Sequence, residues 1–202
     1  MPTLTLPTLT SAPAVCRFSL MPNTQVFQSP LNRTIQTLEL PGARWTATIE
    51  FRNISLADAR LLKAFMASLR GMSGRFYLGD YAHKIPAGTA AGTPRVKGAS
   101  QTGSTLLTDG WSPNQTALLV PGDYVAVNGE LKIITATCSS NGSGEATITF
   151  EPPLRTSPID VAPIITSQPT CTMRLVDDEQ DQVVVDPERR PTVIIECMEV
   201  FV

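Results

Sequence analysis

His83 is the only histidine in the 202-residue chain, and it stands in the run Asp80-Tyr81-Ala82-His83-Lys84. A hydrolase or transferase working through a general base needs such a group oriented by a carboxylate, so an Asp–His pair is conceivable here. The run leads straight into a small-residue linker, however, and no serine or cysteine occupies a GxSxG turn. His83 therefore reads as a surface residue. Asp177-Asp178-Glu179-Gln180-Asp181 gathers carboxylates as a hard cation wants, but the spacing, sixth-position glycine and distal glutamate of a calcium loop do not line up. It reads as a solvated acidic tip that discourages edge-to-edge aggregation. Asp109 with Glu151, or Asp123 with Glu130, would serve as a glycosidase pair only at a separation of about 5–9 Å, which the sequence does not set. Phosphate loops of the GxGxxG and GxxxxGK[ST] kinds are missing. Cys16, Cys138, Cys171 and Cys197 lie far apart without a CxxC pair, and with a single histidine they read as reduced thiols, not a zinc site. The expectation is no enzyme, no cofactor and no metal.

Trp111, in Thr108-Asp-Gly-Trp-Ser-Pro-Asn114, is the more informative side chain. An aromatic ring beside polar turn residues can stack on a sugar or a base, with Tyr124 as a second platform and Asp109 or Asn114 supplying hydrogen bonds. It can equally plug one end of a small barrel. Trp45, on an alternating strand, reads as core or as subunit interface.

The elements that must hold these residues are short and mostly β. Residues 15–20 and 34–40 are β-like, and Pro41-Gly42 makes a turn before 45–51, where Trp45, Ala47, Ile49 and Phe51 share one face. A helix follows near 56–70: Ser55 can cap it, Asp58 lies three residues on, and Leu62, Phe65, Met66 and Leu69 recur at i, i+3, i+4, i+7. After a strand at 75–78, the breakers of 86–94 mark a boundary. Residues 95–166 read as a self-contained β run of the kind that makes a small barrel. Its clearest signal is Asn128-Gly129, which suits a type I′ turn pairing Val127 with Glu130, Ala126 with Leu131 and Tyr124 with Ile133. That register puts Tyr124, Ala126, Leu131 and Ile133 on an apolar face. Pro152-Pro153 is expected to end the strand that starts near Glu145. Residues 171–202 offer a strand to Val176, one at 182–185, a turn at 187–191 and a long final strand. Three strands make a poor core alone, so they are expected to complete the sheet begun by residues 15–80.

The predicted organisation is thus a discontinuous β-sandwich domain, 1–88 with 167–202, carrying one helix and receiving an inserted small β-barrel at 89–166. Residues 1–15 alternate threonine, leucine and proline and cannot build an amphipathic helix. They read as an arm that is either a frayed terminus or a clasp ordered on a neighbouring subunit through Leu4, Leu6 and Leu9.

Composition agrees with a β-rich, non-catalytic chain. Charged residues are 17%, below the usual ~25%, while 24 threonines supply polarity and favour strands. A formal charge of −2 excludes the global basic footprint of a sequence-independent nucleic-acid binder. The N-terminal residues have neither a basic n-region nor an apolar h-region, so the expectation is synthesis in the cytoplasm without membrane anchoring.

The stretches WTATIEFRNISLADARLLKAFMASLRGMSGRFYLGD (45–80) and PAGTAAGTPRVKGASQTGSTLLTDGWSPNQTALLVPGDYVAVNGELKIITA (86–136) resemble the distal tail proteins of long-tailed bacteriophages. The shared features are a β-domain with one helix, a small-residue linker, the QTG and DGW turns, and LLVPGDY before the hairpin. The resemblance implies a β-sandwich ring domain with an added barrel of OB-like or galectin-like form. It also implies a homohexameric ring at the tail tip that joins the tail tube protein to baseplate hub or tail-fibre proteins, with DNA only passing through. The protein would be made in the host cytoplasm and reside in the virion. A carbohydrate-binding module reading the host surface through Trp111 and Tyr124 is the alternative.

Overall fold

The computed structural model describes residues 2–179, 183–185 and 191–201. The first strands are β1 (Leu4–Thr5), β2 (Val15–Met21), β3 (Thr24–Gln28), β4 (Ile35–Glu39) and β5 (Arg44–Phe51). Helix α1 (Leu56–Leu69) and one 3-10 turn, Gly71–Ser73, precede β6 (Phe76–Leu78). Then come β7 (Gly92–Val96), β8 (Gly103–Trp111), β9 (Tyr124–Val127), β10 (Glu130–Ile134), β11 (Ala146–Leu154) and β12 (Ile164–Ile165). The last are β13 (Cys171–Leu175), β14 (Val183–Val185) and β15 (Pro191–Glu199). The fold is mainly β with a single α-helix among the described residues, several sheets, and one nearly closed six-stranded barrel. The strand expected at 182–185 is described from 183, and the turn expected at 187–191 lies largely outside the described residues.

Two compact units make up the chain: Met1–Leu6 with Arg75–Met173, and Pro7–Gly74 with Arg174–Val202. The divisions therefore fall at 74/75 and 173/174, not at the breakers near 88/89 and 166/167. Pairing is the reason. Residues Cys171, Thr172 and Met173 of β13 are antiparallel to Leu78, Tyr77 and Phe76 of β6, and β1 runs parallel to β6, so these flanks cluster with the barrel.

In the barrel-bearing unit the strand order is β12-β9-β10-β11-β8-β7. Closure is made by Val96 N–H donating to Ala162 O (2.9 Å) and Val161 N–H donating to Val96 O (3.0 Å). Asn128 and Gly129 both take positive φ, 51° and 76°, as the type I′ turn requires, and the pairs Val127↔Glu130, Ala126↔Leu131 and Tyr124↔Ile133 form as the spacing predicts. The one-sided apolar face does not follow. All four residues of β9 are buried, and it is Val125, Val127 and Ile134 that join Leu106, Ile148 and Phe150 in the barrel core. A strand covered on both faces cannot show the alternation of a half-wet one. Pro152-Pro153 does not end β11 either: the strand runs on to Leu154, with its register against β8 shifting between Thr149 and Leu154.

In the helix-bearing unit β5 lies between β2 and β15, and its burial alternates strictly, with Trp45, Ala47, Ile49 and Phe51 inside. The apolar stripe of α1, Leu62, Phe65, Met66 and Leu69, is buried as the spacing requires. Ser55 Oγ accepts the Asp58 N–H (3.0 Å), satisfying one of the free amides of the first turn. The Asp58 carboxylate turns elsewhere. It accepts the Thr10 N–H (3.2 Å) and the Thr10 hydroxyl (2.6 Å), so the segment before β2 is latched to the start of the helix.

That latch corrects the expectation for the arm. Leu4 sits in β1 beside β6, with its N–H on Arg75 O (2.8 Å), and Leu4, Leu6 and Leu9 are all half-buried within their own chain. The protomer gives Leu4 a place through a parallel strand pair that the alternating Thr-Leu-Pro pattern does not announce. The Thr10 hydroxyl, against the opposing effect of burial, holds the Asp58 carboxyl below its ordinary value of 3.8. A depressed carboxylate stabilises the fold above the unfolded value and loses that contribution as pH falls through the folded one. Deleting residues 2–10 is therefore expected to lower Tm by a few degrees at pH 7, with a smaller gap from the full chain at pH 3. Thermal melts of the two chains at both pH values check this; superimposable melts at pH 7 would mean a free tail.

Candidate assembly surface

The side chains with chemical potential are engaged in holding loops and strands. His83 Nδ1 lies 2.6 Å from Asp80 Oδ2, while Asp80 Oδ1 accepts the Ala82 N–H (2.9 Å), a local turn with an exposed imidazole at its end. The His83 ring sits 5.9 Å from the Tyr124 ring. Burial, then the Asp80 charge, pushes the Tyr124 phenol up to about 12, which makes it a poor proton donor near neutrality. Asp123 accepts the N–H groups of Ala87 (2.7 Å), Gly88 (3.1 Å) and Val120 (2.9 Å), so it ties the linker to the loop before β9. Asp109 pairs with Arg95 (2.7 Å), and Glu151 accepts the Ser104 hydroxyl (3.1 Å).

Glu130 and Lys132 are the buried charges that β10 brings to the core side. Lys132 is fully buried and donates to Glu130 Oε2 (2.7 Å) and to Pro153 O (2.8 Å). Glu130 also accepts the Arg155 N–H (3.1 Å), the Thr156 N–H (3.1 Å) and the Thr156 hydroxyl (2.9 Å). Burial pushes its carboxyl up, but these donors together hold it below its ordinary 4.5. In the acidic run, Asp178 accepts the Met72 N–H (2.7 Å) and Asp177 the Glu179 N–H (2.9 Å), with residues 180 and 181 outside the described ones. Among the described residues no group of three or more His, Cys, Asp and Glu side chains is placed to hold a metal. The four cysteines form no disulfide, and burial, then the nearby Cys16, pushes the Cys197 thiol up to about 12.

The aromatic platforms are inside. Trp111 is 3% exposed within the barrel core, and its indole N–H donates to Thr108 Oγ1 (2.7 Å), which itself donates to Ala146 O (2.7 Å). Gly144, at φ 73°, lies so close that a Cβ there would meet Trp111 O at 2.3 Å; this position admits only glycine. Trp111 is thus the plug of the two open readings, and Tyr124, buried as well, is not a stacking surface. Trp45 is 2% exposed, stacked on Phe18 at 5.2 Å, with its backbone N–H donating to Glu199 Oε2 (3.0 Å). It belongs to the protomer core and not to a subunit interface. A hollow of about 620 Å³ on the barrel is bordered by Leu107, Ala146, Ser140, Asn141 and the Lys97–Glu145 ion pair; the Asn141 amide donates to Glu145, and the Ser140 hydroxyl donates to Ser112 O.

The exposed feature is a hairpin. Strands β3 and β4 pair only with each other, from Thr24↔Glu39 to Gln28↔Ile35, and all ten of their residues are exposed. Its base is tied by Leu40 N–H on Asn23 O (2.8 Å) and by the Asn23 amide on Pro41 O (2.9 Å). Its tip is held by Asn32, whose Oδ1 accepts both the N–H and the hydroxyl of Thr34. Strict alternation puts the diagonal pair Val26 and Ile35 on one face and Phe27 and Leu38 on the other. These residues are 61%, 62%, 57% and 51% exposed, and Leu31 at the tip is 96% exposed. Residues 22–41 carry only Arg33 and Glu39 as charges. A two-stranded ribbon with both faces wet is at best marginally stable alone, so this one calls for a surface to lie on.

The sequence marks 34–40 as β, but β3 and its pairing carry no comparably strong local signal. The tip, Ser29-Pro-Leu-Asn-Arg-Thr34, has no Asn-Gly signal; the β-branched and aromatic run TQVFQ facing IQTLE was the available cue. The chain matches no protein-family model and no curated protein by sequence.

Proposed function

We propose that this chain is a non-catalytic structural subunit that closes into a ring with copies of itself at the distal end of a bacteriophage tail, joining the tail tube to the baseplate hub around the DNA channel. The observation that carries the assembly half of this reading is the β3–β4 hairpin, an apolar ribbon exposed on both faces. Burying Val26, Phe27, Leu31, Ile35 and Leu38 on a neighbour would contribute roughly 1.5–3 kcal/mol per fully covered side chain before the cost of association is subtracted. Repeated around a closed ring, that is ample for a stable particle. The tail-tip half rests on the resemblance of residues 45–80 and 86–136. A channel only has to let DNA slide, and a net charge of −2 suits passage without tight binding.

Negative-stain imaging tests this directly. The protein, alone or mixed with tail-tube and hub proteins, is expected to give closed rings, hexameric if the resemblance holds. Monomers alone under both conditions would refute the reading.

A further inference from the structure

The hairpin needs an occupant for its two apolar faces, and the same unit displays a second uncovered feature of matching kind. Strand β2 is the outer strand of its sheet, paired along its whole length with β5, from Val15↔Glu50 to Met21↔Arg44, and with no ladder partner on its other side among the described residues. It is seven residues long, VCRFSLM, with Arg17 as its one charge and no proline or register shift to blunt it. Arg17, Ser19 and Met21 are exposed along it. Proteins that remain soluble cover or charge such an edge. The chain's own hairpin does not cover it: although β3 begins only three residues after β2 ends, the two belong to separate sheets.

We infer that the β3–β4 hairpin of one copy docks along the β2 edge of the next. Strand addition would satisfy the backbone groups of that edge and continue one hairpin face into the covered face of the neighbour's sheet, so that the apolar residues of that face leave water. Of the hairpin's two charges, Arg33 at the tip and Glu39 at the end of β4, the second is complementary to Arg17 on β2, which also acts on Glu50 of its own chain. Because hairpin and edge are different surfaces, the contact is head-to-tail. Such a contact closes into a ring when its rotation allows and otherwise runs on as a filament. This inference rests on the ring reading and names the surface that makes it.

The test is disulfide trapping in a Cys16→Ser background, so that the half-buried natural thiol on β2 cannot compete. Ser19→Cys on the edge is combined with Gln25→Cys on β3 or with Thr37→Cys on β4, all exposed or half-exposed strand positions facing no chemistry. Mass photometry is run on the same samples. Oxidised double variants are expected to give a ladder of covalent oligomers ending at the ring, while each single substitution gives none beyond a dimer. Rings in mass photometry without a ladder in either double variant would overturn the docking surface and leave the ring reading standing. Particles that are monomeric at every concentration and give no ladder would overturn both. A product that stops at a covalent dimer, which a single cysteine can also give by pairing with its own copy, would refute head-to-tail docking.

Discussion

Replacing Lys132 by methionine is expected to destabilise the barrel-bearing unit by about 3–5 kcal/mol, because the substitution leaves the Glu130 carboxylate buried without its counter-charge. The isolated loss of one hydrogen bond would cost far less. The Arg155 and Thr156 donors that Glu130 keeps offset only part of the lost counter-charge. The control is the double variant Lys132→Met with Glu130→Gln, which removes both charges and should recover most of the loss. Urea unfolding followed by far-UV circular dichroism reads the difference. The pair also sets an acid limit: Glu130 is held below 4.5, so its contribution is complete above that value and fades as pH falls through the folded one. Wild-type stability should drop on acidification below about pH 4.5, and the double variant should drop less.

Trp111→Ala is the second large effect, again about 3–5 kcal/mol, the usual cost of emptying a buried aromatic site. The indole fills the barrel core beside Leu106, Leu118 and Ile148, and its N–H anchors Thr108. A tryptophan serving as a sugar platform would be exposed, and its removal would cost binding but little stability. Equilibrium unfolding separates the two roles: a loss under about 1 kcal/mol would contradict the plug.

Where local chemistry dominates, the sequence spoke clearly. Asn128-Gly129 fixes a hairpin register because both residues tolerate positive φ, and Ser55 with the Leu62, Phe65, Met66 and Leu69 stripe fixes a helix because capping and a buried face agree. Trp45, Ala47, Ile49 and Phe51 alternate because only one face of β5 is covered. What stayed hidden depends on distant partners. Nothing near Leu4 reveals that β1 runs beside β6, and nothing near Thr10 reveals that it binds Asp58. The burial of both faces of β9 is a property of the closed barrel, not of the strand. The β3–β4 hairpin was the hardest to see, because its apolar residues are split between two faces and so produce neither a helical nor a one-sided strand pattern.

That hairpin also offers the most direct measurement of self-assembly. Mass photometry of the wild-type chain should show one discrete closed oligomer built from 21.8 kDa protomers, and Val26→Asp with Phe27→Asp should shift it to monomer by at least tenfold in concentration. Because both side chains are exposed, the melting temperature of the protomer should barely change. A wild-type protein that stays monomeric even with tail-tube and hub proteins, or an oligomer indifferent to the double substitution, would contradict assembly through the hairpin.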